Sequence, residues 1–90
     1  MTDQKPHLLI VEDDGGLQKQ LAWAFDDFEV SRASDRTSAQ DVLDQARPSV
    51  VLLDLGLPPD ADGPSEGLAT LRAVLQASPE SKVIMMSGQT

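Results

Sequence analysis

The 90-residue chain carries 15 acidic and 7 basic side chains, a formal charge of −8, and no cysteine. This charge repels nucleic-acid backbones and anionic membranes, and the lack of cysteine excludes disulfides and thiolate metal sites. No apolar run approaches the length of a bilayer span. We therefore expect one small cytoplasmic domain without direct nucleic-acid binding and without a membrane segment.

Three apolar runs predict buried strands that are covered on both faces, as in parallel sheets. They comprise residues 7–11, 50–53 and 83–86. A fourth segment, Glu29–Ala33, mixes polar and apolar residues and predicts a strand at the edge of the sheet.

Helical patterns fill the three gaps between these strands, because apolar side chains recur there every three or four residues. The predicted buried stripes are Leu17, Leu21, Ala24, Phe25 and Phe28, then Ala39, Val42, Leu43 and Ala46, then Leu68, Leu71 and Leu75. Asp14 is the predicted N-cap of the first helix, and Ser34 or Asp35 that of the second. The third helix is predicted to begin near Ser65.

The alternation of strands and helices predicts the fold class. A β-α-β-α-β-α-β order gives parallel strands with right-handed crossovers. With the polar strand at the edge, the spatial order becomes 2-1-3-4. We therefore predict an α/β fold with a flavodoxin-like, doubly wound parallel sheet.

Acidic residues follow two of the buried strands directly. Glu12, Asp13 and Asp14 come after the first strand, and Asp54 comes after the third. Ligands of open α/β sheets bind beyond the carboxyl ends of the strands, so these acids are expected at one site. Carboxylates held close together repel one another unless a cation lies among them, and Mg²⁺ prefers such oxygen ligands. The pattern predicts a magnesium site at this edge.

Asp54 at such a site is placed to attack phosphorus as a carboxylate nucleophile, forming an acyl phosphate. The hydroxyl of Ser87 and the amides of Gly56 and Gly88 are candidate donors to the phosphoryl oxygens. Each feature also has a plainer interpretation, as acids of a first helical turn, a turn residue after a strand, or a Ser-Gly turn. Their combination favours the phosphoryl site.

Three segments, LLIVEDD, VVLLDLGLP and VIMMSG, resemble in order and spacing the motifs of bacterial response-regulator receiver domains of two-component systems. The resemblance implies that Glu12 and Asp13 are the acidic pair and that Asp54 is phosphorylated. It implies that the Gly56 carbonyl ligates the metal and that the Ser87 hydroxyl follows the phosphate on activation. A sensor histidine kinase or phosphotransfer protein would supply the phosphoryl group from phosphohistidine, to a switch rather than an enzyme.

The segment DLGLPPDADGPSEGL is a few residues longer than in most receivers. It resembles the loop of exosortase-associated (PEP-CTERM) response regulators of the sigma-54-dependent type, which implies transcription regulation through an output domain outside this chain. Receivers have five strands and five helices. The resemblance therefore implies that residues 1–90 are one receiver domain truncated after the fourth strand. The fourth helix, the fifth strand with the lysine that follows it, and the fifth helix would then be lacking.

Two further features bear on partners. Trp23 lies off the apolar stripe and is expected to be half exposed, either contacting a partner or packing against loops or another copy. The apolar fourth strand, as an uncovered edge, predicts self-association. The alternative function is therefore a receiver-like oligomerisation or interaction fragment that is not phosphorylated. A phosphohydrolase is disfavoured, because it would need a second carboxylate at the position of Gly56.

Overall fold

The computed structural model of the chain describes residues 5–86. In this part of the chain the elements are β1 His7–Val11, α1 Gly15–Ala24, β2 Glu29–Ala33, α2 Arg36–Gln45, β3 Val50–Asp54, α3 Ser65–Ala77 and β4 Lys82–Met86. The predicted strands and helices are all present, and β3 and β4 are each one residue longer than the sequence indicated. None of the helices among these residues is long and apolar enough to cross a membrane.

The strands form a single parallel sheet in the order β2-β1-β3-β4, which confirms the predicted flavodoxin-like arrangement. β1 and β3 lie side by side in the middle, with Val11 paired to Leu53. Their carboxyl ends are therefore adjacent. The residues that follow Val11 and Leu53 are Glu12 and Asp54, so the register brings the two predicted acids to neighbouring positions.

The two faces of the sheet are covered by different helices. Successive side chains of a strand point to opposite faces, so β1 and β3 supply apolar residues to both. On one face the buried strand residues Leu8, Ile10 and Leu52 pack against Leu21, Ala22, Phe25 and Phe28 from α1 and the turn after it. On the other face Leu9, Val11, Val51 and Leu53 pack against Ala39 and Leu43 of α2 and Val74 of α3.

The predicted buried stripe of α3 holds only at Leu71, which packs against the core. The buried residues are Gly67, Thr70 and Val74, whereas Leu68 and Leu75 are 43% and 44% exposed. The cause is a close contact between the helix and the segment after β3. A Cβ atom on Gly67 would lie 2.5 Å from the carbonyl oxygen of Leu55, so only glycine fits there. This contact turns Gly67 inward and Leu68 and Leu75 outward.

Aspartate side chains cap the N-termini of α1 and α2. Asp14 accepts hydrogen bonds from the amides of Gly16 and Leu17, at 2.9 and 3.2 Å, as predicted. Asp35 is the N-cap of α2 and accepts from the Ser38 amide at 2.8 Å, which decides between the two candidate caps. Each carboxylate satisfies amides that have no partner within the helix.

Candidate functional site

Three carboxylates meet at the carboxyl ends of β1 and β3. One oxygen each from Glu12, Asp13 and Asp54 lies within 4.8 Å of the other two. Glu12 and Asp54 are only 4% and 5% exposed, while Asp13 is exposed to solvent. They line a cleft of about 630 Å³ that opens to solvent and is bounded on the far side by the β3–α3 loop.

The sheet and the first turn of α1 hold Glu12. Its backbone amide donates to the carbonyl oxygen of Ala33 at 2.9 Å, which extends the β1–β2 pairing by one residue. Its carboxylate accepts a hydrogen bond from the amide of Asp14 at 3.1 Å. Because the Asp14 side chain caps α1, the same short turn orients Glu12 and begins the helix.

Gly56 orients the carboxylate of Asp54. The Gly56 amide donates to Oδ1 of Asp54 at 3.0 Å. The loop then folds back so closely that a Cβ atom on Gly56 would lie 2.5 Å from the carbonyl oxygen of Ala61. Any larger residue at position 56 would have to shift this backbone contact, and with it the amide that orients Asp54.

The grouping of acids changes the protonation of Glu12. Burial raises the pKa of Glu12 to about 7, and the neighbouring Asp13 and Asp54 carboxylates add to the rise. The hydrogen bond from the Asp14 amide works in the opposite direction and lowers it. With a pKa of about 7, the Glu12 carboxyl is protonated in about half of the molecules at pH 7, because a poorly solvated site disfavours its charge and the neighbouring carboxylates repel it.

These residues have the chemistry of a divalent-cation site. Hard cations bind carboxylate and backbone carbonyl oxygens, and clustered carboxylates are relieved of their repulsion when a cation lies among them. Glu12, Asp13 and Asp54 supply three such groups around one point at the mouth of the cleft. The donor set fits a divalent cation.

Residues 8–90 match the family described as response regulator receiver domain. The chain belongs to this family. The match covers nearly the whole chain, and it confirms the family resemblance seen in the motifs. A comparison with curated protein sequences finds no significant match.

Solved structures agree with this assignment. A Burkholderia pseudomallei response regulator with a phosphorylated aspartic acid, calcium ion and citrate has a TM-score of 0.84 at 17% identity, over 96% of this chain and 49% of that one. The non-phosphorylated HemR receiver domain of Leptospira biflexa gives 0.79 at 25% identity, over 94% and 66%. NtrX of Brucella abortus in complex with ADP gives 0.79 at 27% identity, over 93% and 19%. This receiver domain therefore spans less than two thirds of the first two chains and about a fifth of the third.

Trp23 was the predicted partner contact, and Ser87 and Gly88 were predicted phosphate contacts. Trp23 is 83% exposed on α1, more than the half-exposure expected. Ser87 and Gly88 lie outside the described residues. Asp62 also lines the cleft, whereas the Asp60 carboxylate accepts a hydrogen bond from the Ser65 hydroxyl at 2.6 Å and closes the loop before α3.

Sequence reasoning missed one residue beside the site. Gln18 is 7% exposed on α1, and its side-chain amide donates to the backbone carbonyls of Glu12 and Ala33. Its signal in the sequence was a polar residue next to Leu17 and three positions before Leu21, on the side of the helix that faces the sheet. Alone, that pattern did not distinguish a buried amide from a solvated one.

Proposed function

We propose that this receiver domain is a phosphoacceptor switch in which Asp54 takes a phosphoryl group from a phosphohistidine. The observation that carries the proposal is the buried Asp54 carboxylate, within 4.8 Å of Glu12 and Asp13 at the mouth of a solvent-open cleft. A carboxylate held in this way is available to a phosphodonor and can form an acyl phosphate. The chain would act as a switch, not as an enzyme with turnover.

In this proposal the site residues have three roles: orienting Asp54, holding the cation and contacting the phosphoryl group. The Gly56 amide orients Asp54 through Oδ1, so the carboxylate meets phosphorus in one conformation. Glu12, Asp13 and Asp54, with the Gly56 carbonyl, would hold Mg²⁺, which neutralises charge on phosphoryl oxygens. Hydrogen bonds from Ser87 and from the amides of Gly56 and Gly88 would complete the contacts to phosphate.

Family membership and surface character support a proposal about partners and output. We infer that a sensor histidine kinase or phosphotransfer protein docks beside the cleft, with the exposed Trp23 on α1 as a contact.

The phosphorylated state would regulate transcription through an output domain, and the long β3–α3 loop favours the exosortase-associated, sigma-54-type regulators. The charge of −8 favours a cytoplasmic protein contact and disfavours nucleic acid. Residues 1–90 would form one receiver domain.

A second candidate function is a self-associating fragment that is not phosphorylated. Within residues 5–86, β4 has a neighbouring strand on one side only, and Ile84 and Met85 are 53% and 37% exposed. An open apolar edge of this kind pairs with a second edge of the same kind. We expect light scattering behind size exclusion to show a dimer for the chain and a monomer for Ile84→Lys. A monomer at every concentration of the unchanged chain would contradict self-association.

The phosphoacceptor proposal is tested by intact-mass spectrometry after incubation with acetyl phosphate and MgCl₂. We expect one phosphoryl addition in the unchanged chain and in Asp44→Asn, which alters an exposed aspartate of α2. We expect none in Asp54→Asn and none when a chelator replaces Mg²⁺. Lack of addition in the unchanged chain would favour the second candidate.

A further inference from the structure

The side-chain amide of Gln18 joins two strand ends beneath the acid cluster. It reaches the backbone carbonyl of Glu12 after β1 and that of Ala33 at the end of β2, the latter at 2.9 Å. We propose that Gln18 is a positioning residue, which fixes Glu12 so that the carboxylates are held together before a divalent cation arrives. This inference rests on the proposed function, because it concerns the cation site of that function.

Gln18 supplies the second of two hydrogen bonds that hold the backbone of Glu12. The Glu12 amide already donates to Ala33 at 2.9 Å. With Gln18 donating to the Glu12 carbonyl, both backbone polar groups of Glu12 are hydrogen-bonded, one residue beyond the last paired position of β1. The peptide groups on either side of the Glu12 Cα are thereby held, which sets the direction of its Cα–Cβ bond, and the Asp14 amide then holds the carboxylate at 3.1 Å.

Electrostatics explain why such a restraint matters at this place. One oxygen each from Glu12, Asp13 and Asp54 lies within 4.8 Å of the other two. When all three groups are ionised and no cation is bound, their mutual repulsion tends to open the β1–α1 turn. A restraint on Glu12 opposes this opening. A cation then meets ligands already in position, so that its binding is not weakened by reorganisation of the site.

Packing alone does not account for an amide at position 18. Gln18 is the buried residue of α1, and this helix faces an otherwise apolar cluster. Burying an amide is unfavourable unless its hydrogen bonds are made, so an apolar side chain would serve a packing role as well. The two carbonyl contacts are what the glutamine supplies beyond packing.

The inference is tested by isothermal titration of MgCl₂ into the chain, into Gln18→Met, and into Gln18→Asn. Methionine keeps the length of the side chain without its donors, and asparagine keeps the amide but is one methylene too short to reach both carbonyls. Gln20→Met is the matched control, because Gln20 is exposed on the same helix. Each titration is done at a temperature where circular dichroism shows that the variant is fully folded.

We expect the Kd for Mg²⁺ to rise about tenfold in Gln18→Met, as when outer-shell partners of metal ligands are removed. Gln18→Asn should raise it at least about twofold, and it serves as the test if Gln18→Met does not fold. Gln20→Met should leave it unchanged. A lower Tm with an unchanged Kd in both position-18 variants would show a merely structural role and overturn the inference alone. No Mg²⁺ binding by the unchanged chain would overturn the proposed function and this inference together.

Discussion

Three paired residues on one face of the sheet allow its middle strands, β1 and β3, to be compared with β4, an edge strand within residues 5–86. Ile10 of β1 pairs with Leu52 of β3, which pairs with Ile84 of β4, and all three point to the face covered by α1. Ile10 and Leu52 are 0% and 5% exposed, but Ile84 is 53% exposed. Equally apolar strands thus differ in burial, because a strand is buried by its neighbours and not by its own composition.

The largest expected effect is a difference in the free energy of unfolding between alanine variants of Ile10 and Ile84. Ile10→Ala should lower the free energy of unfolding by about 4 kcal/mol, since it leaves a cavity in a closely packed site. Ile84→Ala should lower it by less than about 1 kcal/mol, because much of that side chain already meets water. Urea unfolding followed by circular dichroism measures both. Equal losses in the two variants would show that the edge is as well packed as the middle.

Glu12, at the end of the middle strand β1, is also buried. Burial is unfavourable for its charged form. Folding raises the pKa of Glu12 from 4.5 to about 7, so between these values the folded chain binds more protons than the unfolded chain. The free energy of unfolding of the metal-free chain should therefore fall as the pH rises from 5 to 8, by up to about 3 kcal/mol.

Unfolding experiments at several pH values with chelator present check this slope. Glu12→Gln should remove the Glu12 part of it, and MgCl₂ at pH 8 should restore stability, because the cation replaces the proton as the partner of the carboxylates. A slope that is the same in Glu12→Gln and in the unchanged chain would show that Glu12 ionises freely when folded.

A smaller effect is expected where α3 meets the end of β3. Gly67→Ala should lower the free energy of unfolding by about 2 kcal/mol, because the new Cβ meets backbone atoms of Leu55 at 2.5 and 2.6 Å. Gly15→Ala is the matched control, since it adds a Cβ to another first helical turn with nothing within 4 Å. It should be neutral or slightly stabilising. Thermal unfolding of both variants measures the difference, and equal Tm values would contradict the close contact.

The smallest effect concerns the cap of α2, on the covered face. Asp35→Ala removes the hydrogen bond to the Ser38 amide and should lower the free energy of unfolding by about 1 kcal/mol. The hydrogen bond from the Ser38 hydroxyl and then that from the Ser38 amide lower the pKa of Asp35, so the loss should fade as acid protonates the carboxylate. Asp41→Ala, at an exposed position of the same helix, is the control and should have little effect.

Most of the fold was predictable from the sequence because its signals are local. The run Leu8–Val11 is apolar without a break, and Asp14 precedes a helical pattern, so this strand and this cap followed from neighbouring residues. For the second helix the sequence left Ser34 and Asp35 as alternative caps, and the structure selects Asp35. The order 2-1-3-4 followed from the polar character of β2. The grouping of Glu12 with Asp54 followed from the rule that parallel strands bring their carboxyl ends together.

The remaining features depend on contacts between segments distant in sequence. Leucines of α3 suggested an inward stripe, but the approach of Gly67 to Leu55 decides which side of that helix faces the sheet. Gln18 bridges carbonyls 6 and 15 residues away, and its neighbours in sequence do not indicate this. Such contacts require the packing of the chain, which periodicity alone does not specify.

The central claim is that Asp54, at the end of β3, accepts phosphate. It is tested most directly by locating the phosphate in the chain. Borohydride converts an aspartyl phosphate to homoserine, which marks the phosphorylated position for peptide mapping by mass spectrometry. After treatment with acetyl phosphate and MgCl₂, we expect homoserine at position 54 and at no other aspartate. Homoserine at Asp13 or Asp62 instead, or at no position, would contradict the account.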